Sequence, residues 1–365
     1  MWEVVYTVST PELQTGCDYE YEVGVGVVRR AVGRFKVRPT YSYAHLPETE
    51  KPASLLVVAD LGVGVSGQAT IRSVRKQARS RHYDALLHLG DIAYELDSVQ
   101  PGVSRAFFGE MEGAASVLPY MVLPGNHESY RNFEQYKAQF RMPRNWANEG
   151  NSLFYSFNLG PGHFIALSTE EFLLGPELDR LKQLEWLKKD LSEACSHRDA
   201  VPWIVVLAHR PFYCSVDFSF PPGSPDTPHS NEYCGRDALK LRSEVEDLLY
   251  GAGVDLVLTG HVHNYQRMQP LYRNVSQARE SDGRNSHVNP TAPVYILTGT
   301  GGSNKGSDYL SSPQSWVQVQ LRETSYSVLR LLNSTHLYWE QVSSLSGKRL
   351  DFLWVKKTKP NSTKS

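Results

Sequence analysis

The sequence predicts an α/β fold, because buried-strand and amphipathic-helix patterns alternate along most of the chain from Ser54 onward. Apolar runs such as LLVVAD, ALLHLG and WIVVLA are typical of strands that are buried on both faces. The helical faces between them carry Ile71, Val74 and Ala78, then Leu181, Leu184, Leu187 and Leu191, with a third helix expected at about Asp237–Tyr250. This alternation favours right-handed βαβ crossovers and a largely parallel arrangement of strands.

The first 46 residues have strand-like patterns without helices. The predicted strands are Glu3–Ser9, Tyr19–Val27 and Gly33–Val37, with a turn at Val28–Val32. Three strands cannot close a β-sandwich, which typically needs about seven in roughly 100 residues. We therefore expect residues 1–46 to be the last part of a β-domain, followed by a linker at Pro39–Pro52.

A predicted hairpin indicates that the sheets are mixed. LFYSFNL and HFIALS, between Asn151 and Ser168, form a predicted hairpin. VYILTG leads into the glycine-rich stretch Gly299–Gly306, which lacks the Gly-Lys-Ser/Thr ending of a phosphate-binding loop and is interpreted as a tight turn. Three strand-like runs follow, SWVQVQLR, YSVLRLL and LYWEQVS, and residues 358–365 form a polar tail.

The composition excludes some classes of partner. The chain has 365 residues, of which 41% are hydrophobic, and its net charge of -1 gives no case for nucleic acid or an anionic membrane surface. No apolar run reaches the roughly 20 residues that span a bilayer. The start of the chain lacks the pattern of a secretory signal peptide. We expect a soluble protein without a nucleic-acid or membrane partner.

Cysteines and glycosylation sequons leave alternatives open. Cys214 and Cys234 flank a Pro/Gly/Ser-rich segment that a disulfide would close, but two free buried thiols fit the spacing equally well. Sequons occur at Asn274, Asn333 and Asn361, and a chance occurrence is the preferred interpretation of each one alone.

Metal-binding side chains follow five of the apolar runs, where each predicted strand ends. They are Asp60, Asp91, Tyr94, Asn126, His127, His209, His261 and His263. In α/β proteins, chemistry collects at the carboxyl ends of strands, where loops hold polar groups over a rigid sheet. These oxygen and imidazole donors form a hard-to-borderline set that suits iron, zinc or manganese.

The arrangement of the donors predicts two cations. The ligands come from separate strand ends, and Asp91 lies at the middle junction with two oxygens that can bridge neighbouring ions. His261 and His263 lie two residues apart just after a strand, so their side chains can reach different ions. His88 and His163 are interpreted as structural histidines.

The order and spacing of these residues carry a resemblance to a known family. The motifs Asp60-Leu-Gly62, Gly90-Asp-Ile-Ala-Tyr94, Gly125-Asn-His-Glu128, His209 after an apolar strand, and Gly260-His-Val-His263 resemble the five ordered motifs of the purple acid phosphatases. The likeness covers about Ser54 to Val355. HRPFYC and THLYWEQVS look closest to the animal iron/zinc purple acid phosphatase-like proteins, the acid phosphatase type 7 group.

This resemblance implies two mixed β-sheets flanked by helices, a metallophosphoesterase sandwich, over residues 47–357. Residues 1–46 would then belong to a partial fibronectin-like β-domain. The implied activity is hydrolysis of small phosphate monoesters at acidic pH through attack of a metal-bound hydroxide. It also implies a secreted or lysosomal protein, whereas the natural substrate and the oligomeric state stay open.

The resemblance also assigns the ligands. Fe(III) would be bound by Asp60, Tyr94 and His263, and a divalent ion (zinc, iron or manganese) by Asn126, His209 and His261, with Asp91 shared. His127 would contact the phosphate, and Glu128 would support the site.

Two positions depart from the family pattern. Ala59 stands where the family usually has glycine, and Phe218 stands where several members have a histidine that protonates the leaving group. His229, within the excursion Ser215–Cys234, is our candidate for that acid, and a surface histidine is the other interpretation. Two alternative functions stay open: another dinuclear metallophosphoesterase, such as a phosphodiesterase or phosphoprotein phosphatase, and a catalytically silent homologue.

Overall fold

The computed structural model of the chain describes residues 8–11, 13–14, 17–25, 28–36, 52–80, 82–94, 96, 102–215, 231–279, 282–304 and 313–358. The linker, the polar tail and the strand expected at Glu3–Ser9 fall largely outside these residues. No helix among them has the length and apolarity that crossing a bilayer requires.

The N-terminal part contains an antiparallel hairpin of β1 (Asp18–Val25) and β2 (Val28–Lys36). The turn predicted at Val28–Val32 is wrong, because Val28 pairs with Val25 and the whole segment belongs to β2. The valines of this segment have a high propensity for strands, and the prediction of a turn gave that propensity too little weight. The Tyr21 hydroxyl donates to the Ser116 carbonyl oxygen at 3.1 Å and so contacts the following part of the chain.

Strands and helices alternate up to Thr259 as the sequence predicts, and the described residues beyond it form strands without helices. The strands are β3 (Ala53–Val58), β4 (Leu61–Gly62), β5 (Ala85–Leu89), β6 (Ile92–Ala93), β7 (Tyr120–Leu123), β8 (Tyr155–Leu159), β9 (Gly162–Ala166), β10 (Trp203–Leu207), β11 (Leu256–Thr259), β12 (Tyr265–Tyr272), β13 (Val275–Ser276), β14 (Ser286–Val288), β15 (Val294–Thr298), β16 (Val317–Leu321), β17 (Ser325–Leu331), β18 (His336–Ser343) and β19 (Arg349–Lys356). The helices are α1 (Val65–Arg79), α2 (Gly102–Ala115), α3 (Tyr130–Gln139), α4 (Thr169–Leu173), α5 (Glu177–Ser196) and α6 (Asn231–Gly251).

These strands form two large mixed sheets. One has the order β14-β19-β18-β17-β3-β5-β7, and the other has the order β13-β12-β15-β11-β10-β9-β8, with β16 paired to β12. Parallel strands form one end of the first sheet, β3–β5–β7, and the middle of the second, which includes β9–β10–β11. The hairpin predicted between Asn151 and Ser168 is confirmed as the antiparallel pair β8–β9. The prediction of two mixed sheets flanked by helices is therefore confirmed.

The two sheets pack face to face. Leu55 and Val57 of β3 belong to the same buried cluster as Val205 of β10. This cluster contains residues from strands but none from helices. Leu56 and Val206, the intervening residues, belong to the cluster that contains the helices. Because side chains alternate along a strand, one face of each sheet packs against the other sheet and the opposite face packs against helices.

The predicted helical faces are partly confirmed. Ile71, Val74 and Ala78 are buried on α1, as expected. On α5 the buried face is rotated towards Trp186, and Leu181 is 45% exposed. The buried Gln183 explains the rotation, because its amide bonds both the backbone N–H and the carbonyl of Ser168. Helices α2, α3 and α4 were not predicted, nor were strands β4, β6, β12, β13, β14 and β19.

Candidate dinuclear metal centre

All seven predicted metal ligands follow the carboxyl ends of parallel strands at one edge of the sandwich. Asp60 follows β3, Asp91 and Tyr94 follow β5, Asn126 follows β7, His209 follows β10, and His261 and His263 follow β11. The first four come from one sheet and the three histidines from the other. The two edges lie so close that a side chain at Gly260 would overlap Ala59 and Asp60.

Several ligands have an uncommon backbone conformation. Asp60, Asp91, Tyr94 and His261 have φ values of 56°, 51°, 53° and 71°, in the left-handed region that favours glycine. Such conformations cost about 1–3 kcal/mol each and persist where the surrounding structure enforces them. The pairing of β4 with β6 is one such constraint, since it joins the Asp60 loop to the Asp91 loop.

The first ligand group contains Asp60, Asp91, Tyr94 and His263. Asp60, Asp91 and His263 are all buried and offer donor atoms within 4.8 Å of one another. The Tyr94 hydroxyl lies 2.6 Å from His263 Nε2 and donates to Asp60 Oδ1 at 3.3 Å. These donor atoms can therefore converge on one cation.

The second ligand group contains Asp91, Asn126, His209 and His261. The Asn126 Oδ1 atom lies 3.1 Å from His209 Nε2 and 2.9 Å from His261 Nδ1. Asp91 Oδ1 lies 3.2 Å from His209 Nε2. Asp91 is the one residue that the two candidate groups share, as expected for a bridging carboxylate.

The donor chemistry of the second group fits a metal ion. His209 Nδ1 lies 2.8 Å from the Leu89 carbonyl oxygen and donates to it, so in the neutral ring Nε2 presents a lone pair. That lone pair faces the carbonyl oxygen of Asn126 and the carboxylate of Asp91. Acceptors that face one another at this distance require a cation or a proton between them.

The pKa values also indicate that a cation or a proton is required between these acceptor atoms. Burial opposes a charge on His209, but the neighbouring Asp91 outweighs it and raises the pKa of His209 to about 10. A proton on Nε2 can thus take the place of a metal ion. Burial, followed by Asp60 and Asp91, raises the pKa of Tyr94 well above its usual value. Tyr94 therefore becomes a phenolate when a strongly polarising cation displaces its proton.

Glu128 holds two of the ligand loops in place. Its carboxylate accepts hydrogen bonds from the backbone N–H groups of Asp91, Ile92 and Gly125, at 2.8–2.9 Å. The side chain is buried, and burial together with Asp91 raises its pKa to about 8. Glu128 fixes the positions of Asp91 and Asn126 and is not among the ligands.

Gly125 provides a test of this packing. A methyl group at this position would overlap Asp91 Oδ1 and the His209 ring. We expect Gly125→Ala to lower metal content and to lower kcat/KM by about 100-fold, because it displaces a shared ligand. Metal analysis and steady-state kinetics check this. Gly109→Ala on α2 is the control, since nothing lies within 4 Å of the added atom there; equal behaviour of the two variants would contradict the prediction.

His127 lies beside the ligands. Its backbone N–H donates to Asp91 Oδ1 at 3.1 Å, and its Nε2 lies 4.0 Å from Asp91 Oδ2. Its ring makes an edge contact with the Tyr94 ring at 4.8 Å. This position agrees with a side chain that reaches a phosphate bound at the two groups. His229 and Phe218 lie outside the described residues, so the leaving-group acid stays a prediction.

Ala59 is fully buried beside Asp60, and His88 and His163 lie outside the ligand groups. His88 bonds the Tyr120 hydroxyl, and His163 bonds Asn158 and Asp190. Cys214 is disulfide-bonded, whereas Cys17 and Cys195 are free. The side chain of Cys234, one possible partner in the sequence analysis, lies outside the described residues.

Sequence reasoning missed a charged network next to His261. The Arg210 guanidinium donates to both carboxylate oxygens of Glu170, at 2.7 and 3.0 Å, and to Asp237 at 2.8 Å. Its Nη1 lies 3.4 Å from His261 Nε2. The available signal was the position of Arg210 directly after His209, but nothing in the sequence links it to Glu170 or Asp237.

Comparisons with known proteins agree with this geometry. The calcineurin-like phosphoesterase model matches residues 53–265, and the model of the iron/zinc purple acid phosphatase-like protein C region matches residues 292–352. Human acid phosphatase type 7 is 36% identical over 367 residues, covering 96% of this chain and 76% of the human protein. Purple acid phosphatase 21 of Arabidopsis thaliana is 31% identical over 303 residues, covering 80% of this chain and 60% of the Arabidopsis protein.

Solved structures share the fold. Purple acid phosphatase PPD1 from yellow lupin (Lupinus luteus) seeds has a TM-score of 0.76 at 21% identity, covering 97% of this chain and 64% of that chain. GAP50 of Plasmodium, described as the anchor in the inner membrane complex, has a TM-score of 0.58 at 16% identity, covering 86% of this chain and 91% of the GAP50 chain. The phosphoesterase match extends over more than half of the sequence, and the human relative is similar over most of its length, so the chain belongs to the purple acid phosphatase family of calcineurin-like phosphoesterases.

Proposed function

We propose that this chain is an acid phosphatase that hydrolyses small phosphate monoesters at a centre of Fe(III) and one divalent ion, zinc, iron or manganese. The family is one of dinuclear metal phosphoesterases, with iron in the centre. The observation that carries the proposal is Asp91, the residue common to the two buried groups of candidate ligands. A carboxylate shared in this way would help to hold two cations, which would supply the metal assistance that phosphoryl transfer uses.

The assignment of ions follows from the donors. Fe(III) would be bound by Asp60, Tyr94 and His263 with Asp91, because a buried phenol with a raised pKa favours a strongly polarising ion. The divalent ion would be bound by Asn126, His209 and His261 with Asp91, since amide oxygen and imidazole are borderline donors. The bound pair would supply Lewis-acid activation and neutralise charge on the phosphoryl oxygens.

The side chains around the cations would bind and orient the substrate. His127 is half-buried beside Asp91 and would donate a hydrogen bond to a phosphoryl oxygen. The Leu89 carbonyl fixes the ring of His209, and Glu128 fixes the Asp91 backbone, so the ligands are held before substrate arrives.

Tyr94→Phe tests the proposed centre. The variant keeps the ring contacts with His127 and His263 but lacks the phenolic oxygen. We expect the iron-loaded parent to show a visible phenolate-to-iron band, and the variant to lose this band and at least about 100-fold in kcat. The measurements are the visible spectrum, metal content and turnover of p-nitrophenyl phosphate at pH 5.

Tyr326→Phe is the matched control, because that hydroxyl accepts a hydrogen bond from Gln77 outside the ligand groups. A colourless, iron-free parent with full activity would refute the ferric assignment. Absence of turnover by the metal-loaded parent would refute the phosphatase.

A second candidate is a phosphoesterase with two divalent ions that acts on phosphodiesters or phosphoproteins. The match of residues 53–265 to the broader calcineurin-like phosphoesterase model favours it. Activity with zinc or manganese alone, on a diester or a phosphopeptide, would support this candidate. The likeness to GAP50 concerns the fold alone, and the closeness of Tyr94 and Asn126 to the two candidate metal groups here favours catalysis.

The same proposal places the protein in the secretory pathway or the lysosome, as a glycoprotein. The disulfide at Cys214 supports it, because disulfides persist in oxidising compartments. Asn274 lies in the exposed turn between β12 and β13, next to Arg273, with φ values of 62° and 51°. This position leaves its amide accessible to a glycosyltransferase.

We expect Asn274→Gln to remove one glycan from protein secreted by animal cells. Intact mass before and after enzymatic deglycosylation measures this. Asn333→Gln is the comparison, because the Asn333 Oδ1 accepts hydrogen bonds from Thr335 and His336 in a half-buried turn. An unchanged mass for Asn274→Gln would contradict the assignment of this sequon.

A further inference from the structure

We propose that a charged cleft between helices α3, α4 and α5 and the segment 141–154 binds a small zwitterion, a molecule with an ammonium group and a carboxylate or phosphonate-type group. The cleft has a volume of about 410 Å³, and none of the seven candidate metal ligands lines it. The inference is therefore independent of the phosphatase activity proposed above.

Glu171 of α4 is the most buried charged side chain that lines the charged cleft. The residue is 3% exposed, and among the described residues no hydrogen bond or ion pair joins its carboxylate to another group. Its backbone is fixed, because its N–H donates to Ser168 Oγ at 3.3 Å and its carbonyl oxygen accepts from the Gly175 N–H at 3.2 Å. A buried carboxylate without a partner is costly, so a cation from outside the chain is favoured beside it.

Four basic side chains line the same cleft. They are Lys137, Arg141, Arg144 and Lys182. None of them forms an ion pair with another described residue. Lys137 Nζ instead donates to Asn132 Oδ1 at 3.4 Å, and Arg141 donates to the Phe140 carbonyl oxygen at 3.2 Å. The charged cleft thus contains unpaired positive charges as well as an unpaired carboxylate.

The wall that carries Arg144 is held in place by the buried Asn148. The Asn148 Oδ1 atom accepts hydrogen bonds from the backbone N–H groups of Asn145 and Gly150, at 3.1 and 2.9 Å. Gly150 has a φ of 83°, and a side chain there would lie 2.7 Å from Arg144 Nε. The Arg144 side chain therefore lies against the Gly150 backbone. Because the wall is formed before a ligand arrives, little ordering is required on binding.

The charged groups that act on Glu171 come from α3 and α5. Burial, followed by Asp179 of α5, raises the pKa of Glu171 to about 7, whereas Lys137 and Lys182 lower it. On α6, which also packs on α4, Lys240 donates to a backbone carbonyl of α4. The two lysines do not overcome the cost of burial, so an ammonium group beside Glu171 would stabilise its charged form.

The arrangement of charges selects the class of ligand. The ammonium group would pair with Glu171 and Asp179, and the anionic group would pair with the basic side chains, of which Arg144 offers a guanidinium that can donate two parallel hydrogen bonds. A simple anion would leave the Glu171 carboxylate unpaired, and a simple cation would leave the basic side chains unpaired. A zwitterion provides partners for both.

Calorimetric titration of the metal-loaded protein at pH 8 tests the inference. The probes are the zwitterions β-alanine and aminoethylphosphonate, and the tighter of the two identifies the anionic group. Acetate and ethylammonium carry one charge each and serve as comparison probes. We expect the tighter zwitterion to bind at least about 10-fold more tightly than either of them, because both of its charges find partners.

Glu171→Gln and Arg144→Gln should each lower this affinity by at least about 10-fold, since each removes one charge-assisted hydrogen bond. Arg144 is exposed, so its variant gives a result even if Glu171→Gln does not fold. Glu193→Gln is the matched control, because Glu193 is exposed on α5 and does not line the charged cleft.

The pH dependence gives a second measurement. A bound ammonium group lowers the pKa of Glu171, so affinity is present above the pKa of the unliganded protein, about 7, and is lost below it. We expect the affinity to fall by at least about 10-fold from pH 8 to pH 5 in the parent and to change little in Glu171→Gln. Absence of binding, equal binding of a single-charge probe, unchanged affinity in both cleft variants, or an equal loss in Glu193→Gln would overturn the inference.

Discussion

Asp91→Asn should lower kcat by at least about 1000-fold and remove metal from both ligand groups. Asparagine keeps the shape of the side chain but offers one oxygen to metal ions instead of two, so it cannot bridge two cations. Asp91 Oδ1 also accepts the backbone N–H of His127 and lies 3.2 Å from His209 Nε2. The substitution therefore affects ligands from both sheets at once.

The measurements are metal content, the visible spectrum and turnover of a phosphate monoester. Asp247→Asn is the control, because Asp247 is exposed and pairs with Arg273 on the surface. If Asp91→Asn retained two ions and more than a tenth of the parental kcat, the bridging role of Asp91 would be wrong.

Asp351→Ala should lower the free energy of unfolding by about 3–5 kcal/mol, because it leaves the buried Arg267 guanidinium without its carboxylate and with only neutral acceptors. The Arg267 side chain is fully buried and donates to both Asp351 oxygens, at 2.6 and 3.0 Å. The Tyr265 hydroxyl donates to the same carboxylate at 2.8 Å. The pair lies between β12 and β19, so the alanine variant weakens contacts between the sheets.

Urea denaturation with the metal content held fixed measures this loss. Arg267→Met combined with Asp351→Ala should recover part of the stability, since the uncompensated charge is then absent. Glu340→Ala is the control: Arg330 and Glu340 form a partly exposed pair at 2.8 Å, for which the expected loss is about 0–1 kcal/mol. A loss of similar size in both single variants would contradict the role of burial.

The positions of the metal ligands could be predicted because local sequence determines them. Asp60, Asp91 and His209 each follow a continuous apolar run, and neighbouring parallel strands end at the same edge of their sheet. The sequence also supplied Asp91 as the bridge, since it lies at the central junction. The structure brings these groups together as predicted, while the ion that each residue binds stays a prediction.

Other features depend on contacts between distant residues. Glu170 reaches Arg210 through tertiary packing that no periodicity records. The exposed position of Leu181 has a similar origin, because burial of the polar Gln183 rotates α5 away from its apolar pattern. Composition and spacing cannot identify a buried glutamine whose partners are backbone atoms 15 residues away in sequence.

The division of the ligands between the sheets affects folding. Each candidate group takes donors from both sheets: Asp60 and Asp91 from one, and His209, His261 and His263 from the other. Neither ligand group is complete until the two sheets have packed against each other. The chain therefore gains its affinity for cations together with its native tertiary structure. Each bound ion would then connect the two sheets. A chelator that removes the ions should make the sheets easier to separate at the strand ends that carry the ligands, whereas the hairpin β1–β2 should be unaffected.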